Sequence, residues 1–208
     1  MIRRAFTMLE LVFVIVVLGI LAVAIIPQMD RDNIGEAAYQ VARHVRLAQH
    51  YALVEDRFYN TDPTTPAGTD WRKTMWRITF VNGSEGDCYQ VHADRDGLGG
   101  APDDEEKAVD PMTKQFVWGG TSCRDTQTDV NPGVLLWKKF AVSSVDVCSV
   151  GGTPKNIAFD NMGRPGQIEN GTMNFLDDDC DILITTNDGN TATVTVHQDT
   201  GFVEVILP

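Results

Sequence analysis

Residues 6–27 read FTMLELVFVIVVLGILAVAIIP, and the reading of the whole chain turns on this stretch. From Leu11 to Ile26 it carries no charge, and Gly19 is its weak helix former. As a helix, the 21 residues from Phe6 to Ile26 would extend roughly 31 Å at ~1.5 Å per residue, enough to cross the hydrocarbon core of a bilayer. Arg3 and Arg4 precede the run and nothing basic follows until Arg31. That asymmetry predicts a cytoplasmic N-terminus and an exported remainder. A cleaved secretory signal fits the arginines and the apolar run, but the run is long and no A-x-A site follows it. Glu10 is the charge that neither reading explains. A carboxylate at the edge of a membrane span is costly and usually kept for a purpose, the alternative being a side chain that snorkels to the interface.

Composition agrees with an anchored, exported domain. The 208 residues make one ordinary domain, or a small domain with an appendage. At 43% hydrophobic and 22% charged, the chain can build a core. Its 17 Lys+Arg against 29 Asp+Glu leave a net charge of −12, which argues against a general nucleic-acid binder. Cys88, Cys123, Cys148 and Cys180 are too widely spaced for a zinc knuckle, and all lie in the part sent to an oxidising compartment. They predict two disulfides. Of three connectivities, Cys88–Cys123 with Cys148–Cys180 is preferred because each closes a compact local loop.

Beyond Pro27 the pattern becomes amphipathic. Asn33 with Glu36 has capping-box spacing and places a helix start, or a restart, after the proline. Ile34, Ala38, Val41, Val45, Ala48 and Ala52 recur at three- and four-residue steps, while Arg43, Arg46, Gln49 and Glu55 fall largely off that stripe. The expectation is one long, kinked helix to about Phe58, its first half in lipid and its second covering a globular domain.

From residue 60 the texture changes to Thr, Pro, Gly and Asp with short β-prone runs. Strands are predicted at 75–81, 88–92, 134–142, 156–160, 180–186, 191–197 and 202–207. The run 191–197 alternates Thr and Val, as a half-buried strand does. Asn187-Asp188-Gly189-Asn190 and Asp199-Thr200-Gly201 supply turns of a terminal antiparallel meander. Asn82-Gly83-Ser84 and Asn170-Gly171-Thr172 match a glycosylation sequon but are also read as turns. The stretch 98–131 lacks periodicity and is expected to form long loops.

Arg3-Arg4-Ala5, then Phe6-Thr7-Met8-Leu9-Glu10-Leu11, then the apolar run with Gly19 and Pro27, resembles the class III signal of type IV pilins and type II secretion pseudopilins. The resemblance implies that a prepilin peptidase cuts between Ala5 and Phe6 and methylates the new amine of Phe6. It also implies that the apolar helix is retained and packs into a filament, with Glu10 as the assembly carboxylate. The family usually has Gly before the cut, where this chain has Ala5. Residues 42–49 (ARHVRLAQ), 157–164 (IAFDNMGR) and Thr200-Gly201-Phe202-Val203 are similar to the GspH/FimT-type minor pseudopilins. The likeness is close over 1–58 and looser over 156–206, and the residues between match no family.

Signals for catalysis are sparse. His44, His50, His92 and His197 stand alone, and no H-E-x-x-H, G-x-S-x-G or Walker loop occurs. One acidic stretch, from Asp94 to Glu106, matches a twelve-residue calcium loop at Asp94, Asp96, Gly99 and Glu105 but has Leu98 where an oxygen ligand belongs. It gives calcium ligands at Asp94, Asp96 and Glu105, with Asp103 or Asp104 as substitutes, against a simple solvated loop. A second acidic run, 177–181, has the same two readings.

The expected fold is α+β: a long N-terminal helix, transmembrane then amphipathic, packed on an antiparallel sheet. The expected organisation is a leader over 1–5, an assembly helix over 6–29, the amphipathic half over 30–59 and an exported β-rich domain over 60–208. The resemblance implies a non-enzymatic, single-pass inner-membrane subunit of a secretion pseudopilus or pilus-like filament. Its partners would be other pilin or pseudopilin subunits, the prepilin peptidase, the inner-membrane assembly platform and lipid. Alternatives are a subunit of a type IV pilus or DNA-uptake pseudopilus, a membrane-anchored binding module, and a membrane-tethered enzyme.

Overall fold

Small side chains on one face of a helix let sheets approach its axis closely, and this chain uses that device. The computed structural model describes residues 8–25, 33–55, 74–95, 100–127, 129–148 and 155–208. It divides into two units, 1–32 and 33–208. The first contains helix α1, Met8–Ile25. The second contains helix α2, Asn33–Val54, whose buried face includes every member of the expected stripe together with Ala37, Ala42 and His44. The start at Asn33 agrees with the capping-box reading. Whether α1 and α2 are continuous falls on residues outside those described.

Among the described residues no helix is long and apolar enough to cross a membrane. Helix α1 is apolar in sequence, but its 18 residues extend about 27 Å, short of a ~30 Å hydrocarbon core. The 21-residue run reaches past it at both ends. Helix α2 is amphipathic and belongs to the core of the second unit.

The second unit is α+β, with two antiparallel sheets. In chain order the strands are β1 (Arg77–Asn82), β2 (Asp87–His92), β3 (Val142–Val147), β4 (Asn156–Phe159), β5 (Pro165–Glu169), β6 (Thr172–Phe175), β7 (Cys180–Thr186), β8 (Thr191–Val196) and β9 (Val203–Ile206). One sheet runs β2-β1-β4-β5-β6 and the other β3-β7-β8-β9. Helix α2 packs against strands of both sheets and against a short helix α3, Leu136–Phe140. The core joins Ala37, Val41, Val45 and Ala48 of α2 to Ile78, Tyr89, Phe159, Ile182 and Val194 of the sheets.

The β7–β8–β9 meander stands where the sequence placed it; burial alternates along β7, and in β8 it alternates from Thr191 to Val194 before Thr195 and Val196 are both buried. The β5–β6 hairpin was not expected, because its strands are short and polar. Its turn residues, Asn170 at φ 50° and Gly171 at φ 76°, carry the left-handed pair that suits a two-residue hairpin. The expectation of a strand over 134–142 is corrected. There the chain makes a 3-10 turn at Pro132–Val134, started by Asn131 accepting from the Gly133 amide at 2.8 Å, and then α3. Leu136 and Phe140, four apart, are buried on one face, Lys138 and Lys139 occupy the last turn, and Ala141 ends it at φ 55°. Apolar content there suggested a strand; the i, i+4 spacing with lysines between indicates a helix.

The disulfides are Cys88–Cys123 and Cys148–Cys180, the preferred connectivity. The first ties β2 to the loop region that covers it. Strand β2 lies at a sheet edge, yet all six of its residues are buried. Residues of the aperiodic stretch pair with it: Val91 donates to Val117 at 2.9 Å and accepts from Ala108 at 2.9 Å, while Ala93 donates to Glu106 at 2.9 Å. An open edge is an aggregation template, and here it is covered. Across the sheets, the buried Asp87 of β2 accepts from Asn82 Nδ2 at 2.8 Å and from the Val145 amide of β3 at 2.7 Å. Burial raises the Asp87 pKa, although the Val145 amide and Lys155 oppose that shift.

At Gly201 this packing leaves no room for a side chain. At φ +64°, an added Cβ would meet Gln49 Nε2 at 2.5 Å and the Gly163 oxygen at 2.6 Å, whereas Gly189 at φ +81° faces open space. Gly201→Ala is therefore expected to lower the thermal midpoint of the detergent-solubilised protein by the equivalent of about 2 kcal/mol or more, and Gly189→Ala by about 1. Equal shifts for the two variants would contradict the contact at Gly201.

Candidate functional site

The sequence singles out four groups of residues as functional. The cleavage and methylation positions Ala5 and Phe6 lie outside the described residues. Glu10 stands in the first turn of α1 and is exposed, as are all the side chains from Met8 to Leu21. The cysteines are disulfide-bonded, with none free.

The acidic loop is only partly described, since Asp96 lies outside. Its other members have partners within the chain. Glu105 faces Arg95 at 3.8 Å and Asp104 faces Lys107 at 2.8 Å. Glu106, which the sequence reading passed over as a ligand, is the buried organiser: its carboxylate accepts from the Arg95 amide and from the Asp103 amide at 3.0 Å. Arg77 is half-buried, and desolvation lowers its pKa against the attraction of Asp94 and Glu106. Among the described residues no group of three or more His, Cys, Asp or Glu side chains is placed to hold a metal ion.

A polar pocket of about 290 Å³ opens beside α2, between its Gln40–His44 face, the 110–115 loop and the 131–134 turn. The sequence reading left His44 as a lone histidine, but the fold gives it three polar neighbours. His44 Nδ1 lies 2.6 Å from the Tyr89 hydroxyl; Nε2 lies 3.2 Å from Arg43 Nη2 and 3.5 Å from Asp110 Oδ2. Two tautomers satisfy the chain of contacts. Either Nδ1–H donates to Tyr89 and Nε2 accepts from Arg43, or Tyr89 donates to Nδ1 and Nε2–H points at Asp110.

Tyr89 also accepts from Gln40 Nε2 at 2.7 Å, and Gln40 Nε2 donates to the Gly133 carbonyl at 2.7 Å. Asp110 accepts from Arg43 Nη2 at 3.1 Å, the Met112 amide at 2.9 Å and Thr113 Oγ1 at 3.2 Å.

The electrostatics follow from burial. Desolvation first, then the Arg43 charge, pushes His44 down to about 4, leaving the ring neutral at pH 7. Desolvation raises the wholly buried Tyr89 hydroxyl far above the ordinary tyrosine range. For Asp110, burial opposes ionisation, but the Met112 amide, Arg43 and His44 outweigh it and hold the carboxyl below its usual value. The cluster can hold a fixed ion pair and a neutral imidazole facing a cavity. Gln40, Arg43 and His44 at i, i+3 and i+4 were a signal available in the sequence; Asp110, in an aperiodic loop, was not.

The segments 42–49, 157–164 and 200–203 meet at one place. Gln49 Nε2 donates to the Gly163 and Thr200 carbonyls, each at 2.9 Å, and Arg46 Nη2 donates to the Val203 carbonyl at 2.7 Å. Asp160 shapes its own loop by accepting from the Met162 and Arg164 amides and from Arg164 Nε, at 2.9, 2.8 and 2.8 Å. No protein-family model, curated protein or solved structure matches this chain.

His44 and His92 give the fold a pH dependence. His92, buried by β2, is pushed down to about 3, chiefly by desolvation and then by Arg77. Between the unfolded value near 6.5 and these folded values, the unfolded chain binds more protons, so their contribution is intact above pH 6.5 and declines as pH falls toward 4. Each histidine contributes up to ~1.4 kcal/mol per pH unit in that window. Denaturation midpoints measured from pH 7 to 5 should fall, and His44→Gln should flatten the profile. A profile unchanged in slope would contradict a buried, neutral His44.

Proposed function

We propose that this chain is a structural subunit, a minor pseudopilin, of a type II secretion pseudopilus or a related type IV pilus-like filament. The observation that carries the reading is a helix, apolar in sequence apart from Glu10 and with its side chains exposed from Met8 to Leu21, followed by an amphipathic helix that forms the spine of an α+β domain. A helix of that composition needs an apolar environment, lipid before assembly and neighbouring helices after it. The disulfides suit an exported domain. In this reading the chain enters the inner membrane with its N-terminus cytoplasmic, and the second unit is exported. Type IV pilus and DNA-uptake filaments fit the same features.

Cleavage between Ala5 and Phe6 would leave 203 residues and remove Arg3 and Arg4, taking the net charge from −12 to −14. Glu10 would then lie four residues from the new N-terminus, about 6 Å along the helix. A carboxylate in lipid costs ~2–3 kcal/mol on insertion scales, and pairing with a neighbour's N-terminal amine would offset this and set the axial register. Intact-mass analysis of membrane-extracted protein should find a chain beginning at methylated Phe6. A chain beginning at Met1, or cut after Ile26, counts against the proposal. Glu10→Ala should leave export, cleavage and the folded domain unchanged while reducing co-purification with partner subunits; wild-type association returns Glu10 to an interfacial role.

A further inference from the structure

The pocket beside α2 contains a cation whose hydrogen-bonding capacity is poorly used. Arg43 lies on a pocket wall, its side chain 41% exposed. Of its five N–H donors, those on Nη2 serve Asp110 and His44, Nη1 donates to the thioether of Met112 at 3.1 Å, and the buried Nε has no partner. A thioether is a weak acceptor, and a carboxylate in its place would form a stronger, charge-assisted bond. Met112 is 72% exposed, so moving it aside exposes little new apolar surface. Of the residues lining the pocket, Pro132 and Val134 are apolar.

The other charge in the pocket does not defeat an incoming anion. Asp110 is occupied by the Met112 amide, Thr113 and Arg43, and the Lys139 ammonium sits 2.5 Å from Gln40 Oε1 behind the same wall.

We propose that this pocket binds a carboxylate borne on a short apolar body, with Arg43 Nη1 taking the carboxylate in place of Met112 and the Pro132–Val134 wall taking the apolar part. At about 290 Å³ the pocket has the size of the smallest ligand sites. Two sources carry that chemistry: a free branched-chain acid and the carboxyl end of a peptide. The site is independent of the filament reading, since none of its residues belongs to the assembly helix.

Amide NMR on the full chain in detergent micelles distinguishes these. The probes are isobutyrate, isobutyramide, and N-acetyl-Gly-Val as free acid and as carboxamide. Saturable shifts at the Met112 and Thr113 amides are expected with acids and not with their amides. Response to the peptide acid alone identifies a chain end as the source, and response to isobutyrate identifies a small acid as sufficient. Arg43→Gln should weaken binding about tenfold or more. Met112→Ala, at an exposed position, should strengthen it about threefold by removing the competing acceptor. Absence of a saturable response to either acid, equal binding of the amides, or Met112→Ala without gain overturns the proposal.

Discussion

The burial of one face of α2 against two separate sheets is the constraint on which the second unit depends. The sheets share no strand, so each would expose a face without the helix. Ala37, Ala38, Ala42 and Ala48 are fully buried, and their small size lets both sheets approach the helix axis. Alanines add little apolar area themselves. The area comes from what they admit: Tyr89, Phe159, Ile78 and Ile182, at roughly 25 cal/mol for each Å² removed from water. Proximity comes from one element and driving force from the others.

That arrangement also explains why polar groups lie so deep. Tyr89 projects from β2 toward α2 and ends at Gln40 and His44, so its hydroxyl is satisfied only if those side chains turn inward. The helix thus has an apolar face and a narrow polar seam that reaches the cavity. The aperiodic stretch between β2 and β3 then has two structural duties. It supplies Asp110 to the seam, and it covers the edge of β2, held there by Cys88–Cys123.

Much of this was legible in the sequence, and the failures have physical causes. The α2 stripe and the β7–β9 meander declare themselves by period, because one face of each meets the core and the other meets solvent. The disulfide pairing followed from loop compactness. The 134–142 segment misled because five buried apolar residues, Val134, Leu135, Leu136, Phe140 and Val142, outweighed the lysines that mark a helix turn. Strands β5 and β6 carry few apolar residues and announced only their turn, Asn170-Gly171. The Tyr89–His44–Asp110 contacts join positions 45 and 66 residues apart, and no local pattern encodes a contact made by topology alone. The acidic loop was read as a place for a cation; Asp96 lies outside the described residues, and Glu105 and Asp104 face Arg95 and Lys107.

The meeting of Gln49, Gly163 and Gly201 has an evolutionary consequence. One amide group holds two turns that are far apart in sequence; a Cβ at Gly201 would meet that amide and the Gly163 carbonyl, and one at Gly163 would meet Gln49 and Leu53. The three positions therefore form a single mutational unit. A side chain at 201 has room only if residue 49 shortens, and a shortened residue 49 leaves the Gly163 and Thr200 carbonyls without that donor. Among descendants of this sequence, substitutions at these sites should occur together or not at all, so that covariation rather than identity would be the lasting mark of this fold.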